Sequence, residues 1–223
     1  MRYISLAMFA EGPSDHVFLQ RLIYRVVHEQ AFNVSTEPVE IAETFVRPAR
    51  LVSLPAQRHE RVAALFQTAI SEGAVTLLFV HADADGDADI TFEQRIEPVR
   101  RAIARIAPNG FQFIALVPVQ MTETWALADP DALRAEWGTT IPPEDLGLPP
   151  TRRLEALDQP KEVLRQARRV AIGRRRRSRQ SVDNLGIPPG LGERVNLDNL
   201  RLLPAFRRFE EDVMNALNAL WPS

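Results

Sequence analysis

Between residues 3 and 119, short apolar runs alternate with amphipathic stretches of helical period, and this alternation constrains the fold more than any other feature of the chain. A strand buried on both faces reads as a continuous apolar run, and a covering helix repeats its apolar residues every three or four positions, so the alternation predicts βαβα units. Strands are expected at Tyr3–Ala10, Val39–Val46, Val75–Ala82 and Phe111–Val119. Helices are expected at Asp15–Gln30, with Phe18, Leu22 and Val26 on one face, at Arg58–Ser71, with Val62, Leu65 and Ala69, and at Phe92–Ala107, with Ile96, Val99, Ile103 and Ile106. The expected fold class is α/β: a mostly parallel sheet with helices on both faces. In open sheets of this kind ligands bind beyond the carboxyl ends of the strands, where Glu11, Asp83 and Glu123 fall.

After Asp129 the pattern loosens. Connections rich in Pro and Gly at Gly138–Pro150 and Gly186–Gly192 flank a helical stretch from Pro160 to about Ile172, and they read as ordered loops. A closing helix from Leu200 to Trp221 places Phe206, Phe209, Val213, Leu217 and Leu220 on one face, suited to packing on the sheet or to a partner's groove. The expected organisation is an α/β core over residues 1–130 and a helical and loop extension over 131–223 packed on it.

At 45% hydrophobic residues the chain can fill a core. No apolar run approaches the roughly 20 residues of a membrane helix, and the N-terminus lacks the basic start and small-residue cleavage site of a signal peptide, so a cytoplasmic protein without membrane contact is expected. With no cysteine, disulfides, thiolate catalysis and cysteine-bound metals are excluded, and any metal must be held through oxygen or histidine. His16, His28, His59 and His81 show no zinc spacing. A net charge of −2 hides a segregation of charge. Residues 83–97 carry Asp83, Asp85, Asp87, Asp89, Glu93 and Glu97 against the single base Arg95, whereas residues 165–179 carry Arg165, Arg168, Arg169, Arg174, Arg175, Arg176, Arg177 and Arg179 with no acid.

The buried-strand pattern of Val75–Ala82 runs directly into Asp83-Ala-Asp85-Gly-Asp87-Ala-Asp89. Carboxylates crowded this closely repel unless a cation or abundant water sits beside them, and an oxygen-only set suits Mg²⁺ or Mn²⁺. An EF-hand loop fits poorly: Gly86 falls at loop position 4 instead of 6, and Gln94 replaces the bidentate Glu. The first strand ends in Glu11-Gly12-Pro13-Ser14-Asp15, where Gly12 permits a tight turn and Pro13 or Ser14 can begin a helix. Glu11 and Asp15 read equally as acids complementing a helix N-terminus and as site residues. Glu123, after Thr122 as a candidate N-cap, has the same two readings.

Strand–Glu11-Gly12, followed two strands later by Asp83-Ala-Asp85, resembles the TOPRIM domain of topoisomerases, primases and OLD-family nucleases. The resemblance implies that Glu11, Asp83 and Asp85 hold a divalent metal at a phosphodiester, or that Glu11 acts as a general acid or base. Asp15 matches the second acid that OLD-like nucleases place four residues after the first, and Asp87 would be a further ligand. A narrower resemblance rests on Val117-Pro118-Val119-Gln120-Met121-Thr122-Glu123-Thr124-Trp125-Ala126-Leu127-Ala128-Asp129, on Gln159-Pro160-Lys161 and on the Phe206-containing helix. It points to an uncharacterised TOPRIM-like bacterial family encoded beside ATPases in anti-phage loci, with Thr124 standing where that family usually has Ala.

Lys161 is the only lysine, against 26 arginines (27 basic residues less one). A compact ammonium differs from a guanidinium as a donor to phosphate, and OLD-like nucleases similarly place a late lysine near the metals. The run Arg174, Arg175, Arg176, Arg177 and Arg179 suits a phosphate backbone, without base specificity and with few interleaved aromatics for stacking. Tyr3 and Tyr24 lie inside a strand and a helix, which disfavours a topoisomerase nucleophile. There is no P-loop and no Gly-x-Ser-x-Gly elbow. The expectation is a Mg²⁺-dependent phosphodiesterase acting on DNA or RNA beside a separate AAA- or ABC-type ATPase. Glu11, Glu123 and Lys161 would be catalytic and Glu11, Asp15, Asp83, Asp85 and Asp87 metal-binding. The competing reading is a non-catalytic subunit that binds nucleic acid or the ATPase. A homo-oligomer is left open.

Overall fold

The computed structural model describes residues 1–45, 57–107, 109–176 and 186–221, without the side chains of 43–45 and 174–176. Four strands, β1 (Arg2–Phe9), β2 (Val39–Phe45), β3 (Leu77–His81) and β4 (Gln112–Leu116), form one all-parallel sheet in the order β2-β1-β3-β4. The helices are α1 (Pro13–Val34), α2 (Arg58–Glu72), α3 (Ala88–Thr91), α4 (Glu97–Ile106), α5 (Thr122–Ala126), α6 (Pro130–Trp137), α7 (Pro160–Arg176), α8 (Leu191–Arg194), α9 (Leu197–Leu200) and α10 (Pro204–Leu220). No helix among the described residues is long and apolar enough to cross a membrane.

The period-2 alternation of each strand divides the core into two layers. On one face Ile4, Leu6, Met8, Leu77, Phe79 and Leu116 pack against Phe18, Leu22 and Val26 of α1 and against Phe206, Phe209 and Val213 of α10. On the other face Ala7, Leu78, Val80 and Ala115 meet Val62 and Phe66 of α2 and Val99 and Ile103 of α4. The expected α/β class with helices on both faces is therefore what the chain adopts, and the closing helix packs against the sheet. Trp125 of α5 stands edge-on to Phe206 at 5.1 Å and tilts over Phe209 at 5.8 Å, fixing α5 to α10 beneath the sheet's carboxyl end. Gly192 of α8 lets that turn lie directly on α1, because a Cβ there would stand 2.4 Å from the Phe18 carbonyl oxygen.

Topology sets the site. The chain leaves β1 to one side to form β2, then passes back over β1 to form β3 on its other side, so the connections after β1 and β3 diverge. That divergence opens a crevice at the carboxyl ends of β1 and β3, the switch point of a doubly wound sheet. The element bounds differ from expectation in two instructive places. The third helical stretch begins at Ala88, because Asp87 Oδ1 accepts the Ile90 N–H at 3.0 Å and caps it, and it passes through a π turn at Phe92–Ile96 before α4. Helix α7 runs past Ile172 but breaks at Gly173 (φ 64°). Val46 lies outside the described residues.

Because Phe206 joins α10 to α5 at full burial, Phe206→Ala should cost about 3–5 kcal/mol and lower Tm by roughly 10 °C. Calorimetry showing a drop of less than about 2 °C would remove this cluster as the anchor of the extension.

Candidate active site

Glu11 and Gly12 follow β1 in a bend after Ala10, and α1 begins at Pro13, whose fixed φ suits the first helical position. Gly12 is extended (φ −116°, ψ 159°), not the tight turn expected, and it leaves room for the Asp15 carboxylate. Its N–H donates to Asp15 Oδ2 at 3.0 Å, and a Cβ would stand 2.7 Å from that same oxygen. This capping bond folds the Asp15 carboxylate back over the strand end, where the residue is 8% exposed. Burial pushes the Asp15 carboxyl above its ordinary value; nearby His81 opposes that, Asp83 adds to it, and bonds from Gly12 and Thr122 offset part.

From β3 come His81 and Asp83. Asp83 Oδ1 accepts the Thr122 N–H at 2.9 Å and the Thr122 hydroxyl at 3.4 Å, and lies 3.1 Å from His81 Nε2. The carboxylate can only accept here, so His81 Nε2 carries a proton, while the buried Nδ1 has no partner. Burial alone would raise the Asp83 carboxyl, but the bonds and charge from His81 and the two donors of Thr122 outweigh it and hold it below the ordinary range. Thr122 is not the expected N-cap. Met121 takes that place, and Thr122, as the first helical residue, gives its free N–H to Asp83 and places its hydroxyl 2.9 Å from His81 Nε2. An acid on a neighbouring strand end thus replaces a local cap.

Glu123, next on α5, is 3% exposed. Burial raises its carboxyl; its own N–H counters, Asp15 and Asp83 add repulsion, and Lys161 relieves part of it. Lys161 itself is exposed at the start of α7. Three acids widely separated in sequence, Asp15, Asp83 and Glu123, therefore share one electrostatic environment, with Lys161 at its edge.

Glu11 is engaged differently. Its Oε1 pairs with an Arg95 guanidinium nitrogen and lies 3.3 Å from Arg58 Nε. Arg58 also donates to the carbonyls of His81 at 2.6 Å and Arg95 at 3.0 Å, and Arg95 donates to the Asp83 carbonyl at 2.9 Å. Asp85 is a non-glycine residue in the left-handed region (φ 50°), which Asp tolerates better than most; its N–H bonds the Gln120 carbonyl at 3.0 Å. Its carboxylate is 69% exposed, 3.6 Å from Arg95. Asp87 caps α3, away from this cluster's shared charges.

The structure thus gathers Glu11, Asp15, Asp83, Asp85, Glu123 and Lys161 around one crevice and gives Asp87 a capping role. Arg174, Arg175 and Arg176 fall on α7 without described side chains, and Arg177 and Arg179 lie outside the described residues. Reading the residues in order missed Arg58, Thr122 and His81 as organisers; Arg95, the lone base in the acidic stretch, carried a visible signal. Among the described residues no three His, Asp or Glu side chains stand close enough to hold an ion as placed. The donor chemistry nonetheless fits a hard cation: buried, like-charged oxygen donors with incomplete cationic relief.

The profile of a domain of unknown function, DUF4276, matches residues 10–213, taking in both strand ends, α5, α7 and most of α10. The chain belongs to the DUF4276 family. No curated protein and no solved structure matches it. The match runs from the end of β1 into α10, so every acid of the crevice and Lys161 lie within it.

The site predicts opposite pH behaviour for its acids. Asp15 and Glu123 have folded values above their ordinary 3.8 and 4.5, so their favourable contribution is complete in acid and is lost as pH rises through the raised values. Glu123→Gln should therefore raise Tm at pH 7, the gain closing towards pH 4. Asp83, held low, contributes stability that is lost as pH falls through its lowered value, so Asp83→Asn should cost about 1.5–3 kcal/mol at pH 7 and less in acid. Melting curves of Glu123→Gln from pH 4 to 8, and of Asp83→Asn from pH 7 down through the range below 3.8, check this; a Glu123→Gln variant less stable than the parent at pH 7 would contradict it.

Proposed function

We propose that this chain is a divalent-metal-dependent phosphodiesterase, acting as a nuclease on DNA or RNA through a TOPRIM-like site. The observation that carries the reading is the gathering of buried Asp15 and Glu123 with partly buried Asp83 at the switch point, where desolvation and repulsion keep the two buried carboxyls raised. A protein that only needed to fold would place apolar or neutral groups there.

Asp15, Asp83 and Glu123 would hold Mg²⁺ or Mn²⁺, with Asp85 reaching in from the exposed rim. Held there, such an ion would supply an activated water and charge stabilisation at the leaving oxygen. The protein's own groups do the rest. The His81–Asp83–Thr122 bonds fix the central carboxylate, so its orientation need not be found during reaction. Lys161, exposed beside Glu123, neutralises charge developing on phosphate. Glu11, held between two arginines, serves as a general acid or base or as a further ligand once released. The arginine run on and after α7 holds the polymer backbone. By the same resemblance, a separate AAA- or ABC-type ATPase in an anti-phage system governs the activity.

A second reading has its own support. Glu11 is already neutralised by Arg58 and Arg95, and the described acids do not stand as a preassembled ligand set, as a binding subunit without turnover would allow. Incubation of the protein with plasmid, single-stranded DNA and tRNA in Mg²⁺, Mn²⁺ or EDTA separates the two. The nuclease reading expects metal-dependent cleavage that falls at least about a hundredfold in Asp83→Ala and Lys161→Ala while binding persists. Binding without metal-dependent cleavage, alone and with the ATPase added, would support the non-catalytic subunit.

A further inference from the structure

Two guanidiniums converge on the single carboxylate of Glu11, and they are not equivalent. Arg58 spends both terminal nitrogens on backbone carbonyls, at 3.0 Å to Arg95 and 2.6 Å to His81, and its side chain is 18% exposed. Those bonds tie the start of α2 to the end of β3 and to the π turn, so Arg58 is built into the frame. Arg95 makes one backbone bond, to the Asp83 carbonyl at 2.9 Å, and directs its other terminal nitrogen to Glu11. It is 32% exposed, and it sits on the π turn, a one-residue expansion of a helix that recurs at functional sites. With Asp85 at 3.6 Å, its outer face carries only an exposed, weak ion pair.

A guanidinium N–H directed at one carboxylate oxygen, with a second guanidinium 3.3 Å from that same oxygen, suits a phosphate oxygen as well as a carboxylate. We propose that Arg95, oriented by Arg58, is the residue of this site that binds the substrate's phosphate, and that the Glu11 carboxylate holds the phosphate's place until substrate arrives. Phosphate then takes over the Arg95 N–H that Glu11 now accepts, and Glu11 is released into the crevice beside Asp15 and Asp83. Arg95 is a binding residue and Arg58 a positioning residue. No bond is made or broken in this exchange; one anion replaces another on the same donors. The inference rests on the phosphodiester reading for the identity of the anion, but its test does not require turnover.

The test is binding in EDTA, with fluorescence anisotropy of a labelled 12-nucleotide single strand and a 12-base-pair duplex across a salt series, and with inorganic phosphate and a mononucleotide as competitors. Arg95→Gln should weaken oligonucleotide binding about tenfold or more and reduce the slope of log affinity against log salt by about one, the signature of one lost phosphate contact. Glu11→Gln should act in the opposite sense, tightening binding and steepening the slope, because the competing anion is gone. Melting curves confirm that both variants are folded. Competition by inorganic phosphate or the mononucleotide at the parent but not at Arg95→Gln would assign the subsite to a single phosphate group; competition by neither would assign it to a polymer backbone, and both outcomes uphold the role of Arg95. An unchanged salt slope in folded Arg95→Gln, or weaker binding by Glu11→Gln, would overturn it. Cleavage that fails while these shifts hold would sink the nuclease reading alone.

Discussion

Like charges buried together at the mouth of a parallel sheet are the constraint around which the rest of this molecule is arranged. Asp15, Asp83 and Glu123, two of them buried and the third partly so, cannot all be ionised side by side without cost. The surrounding structure distributes that cost unequally. Asp83 receives a ring N–H, a backbone N–H and a hydroxyl, and is held ionised. Asp15 receives the Gly12 N–H and a bond from Thr122, and Glu123 has its own N–H and the charge of Lys161, too little in either case to offset burial, so both are pushed the other way. Environments that drive neighbouring acids apart give one a fixed charge and leave the others ready to gain or lose a proton, a division useful to a site handling phosphate and water.

Each supporting element serves that arrangement. The strand order puts the acids of β1 and β3 side by side, and Gly12 admits the Asp15 carboxylate by lacking a Cβ. The aromatic cluster of Trp125, Phe206 and Phe209 holds α5, and with it Thr122 and Glu123, against the end of the sheet. Asp129 extends the same logic outward: buried, it caps α6 through the Ala132 N–H at 3.0 Å and accepts the Asn196 N–H at 2.8 Å, tying the start of the extension to its later turns. The extension is thus a brace for the site as well as the carrier of Lys161.

The sheet was legible because its signals are periodic. Apolar runs such as Leu77–Val80 and helical spacings such as Phe18, Leu22 and Val26 report burial directly. The acids at strand ends were legible for the same reason, since a carboxylate just past an apolar run lies at the crevice of an open sheet. What stayed hidden depends on partners distant in sequence. Thr122 has the composition of a cap, and only the presence of Asp83 across the crevice gives its N–H and hydroxyl a different task. Gly12 has the composition of a turn, and only the position of Asp15 shows that space, not backbone freedom, is what it provides. Asp87 looks like its alternating neighbours but is spent on capping, and Arg58, from a helix start, gave no local sign that it would reach the ends of both β1 and β3.

The central claim is that the carboxylates buried at the switch point are a cation site. Titration calorimetry of Mg²⁺ and Mn²⁺ into the protein, repeated in two buffers of different ionisation enthalpy, measures both the binding and any protons it displaces. If the claim holds, binding is saturable, protons are released above the ordinary carboxyl range because raised carboxyls must ionise to ligate, and the release shrinks in Asp15→Asn and Glu123→Gln. Absence of saturable binding at millimolar metal, or binding that the two substitutions leave unchanged, would show that these acids are buried for another reason.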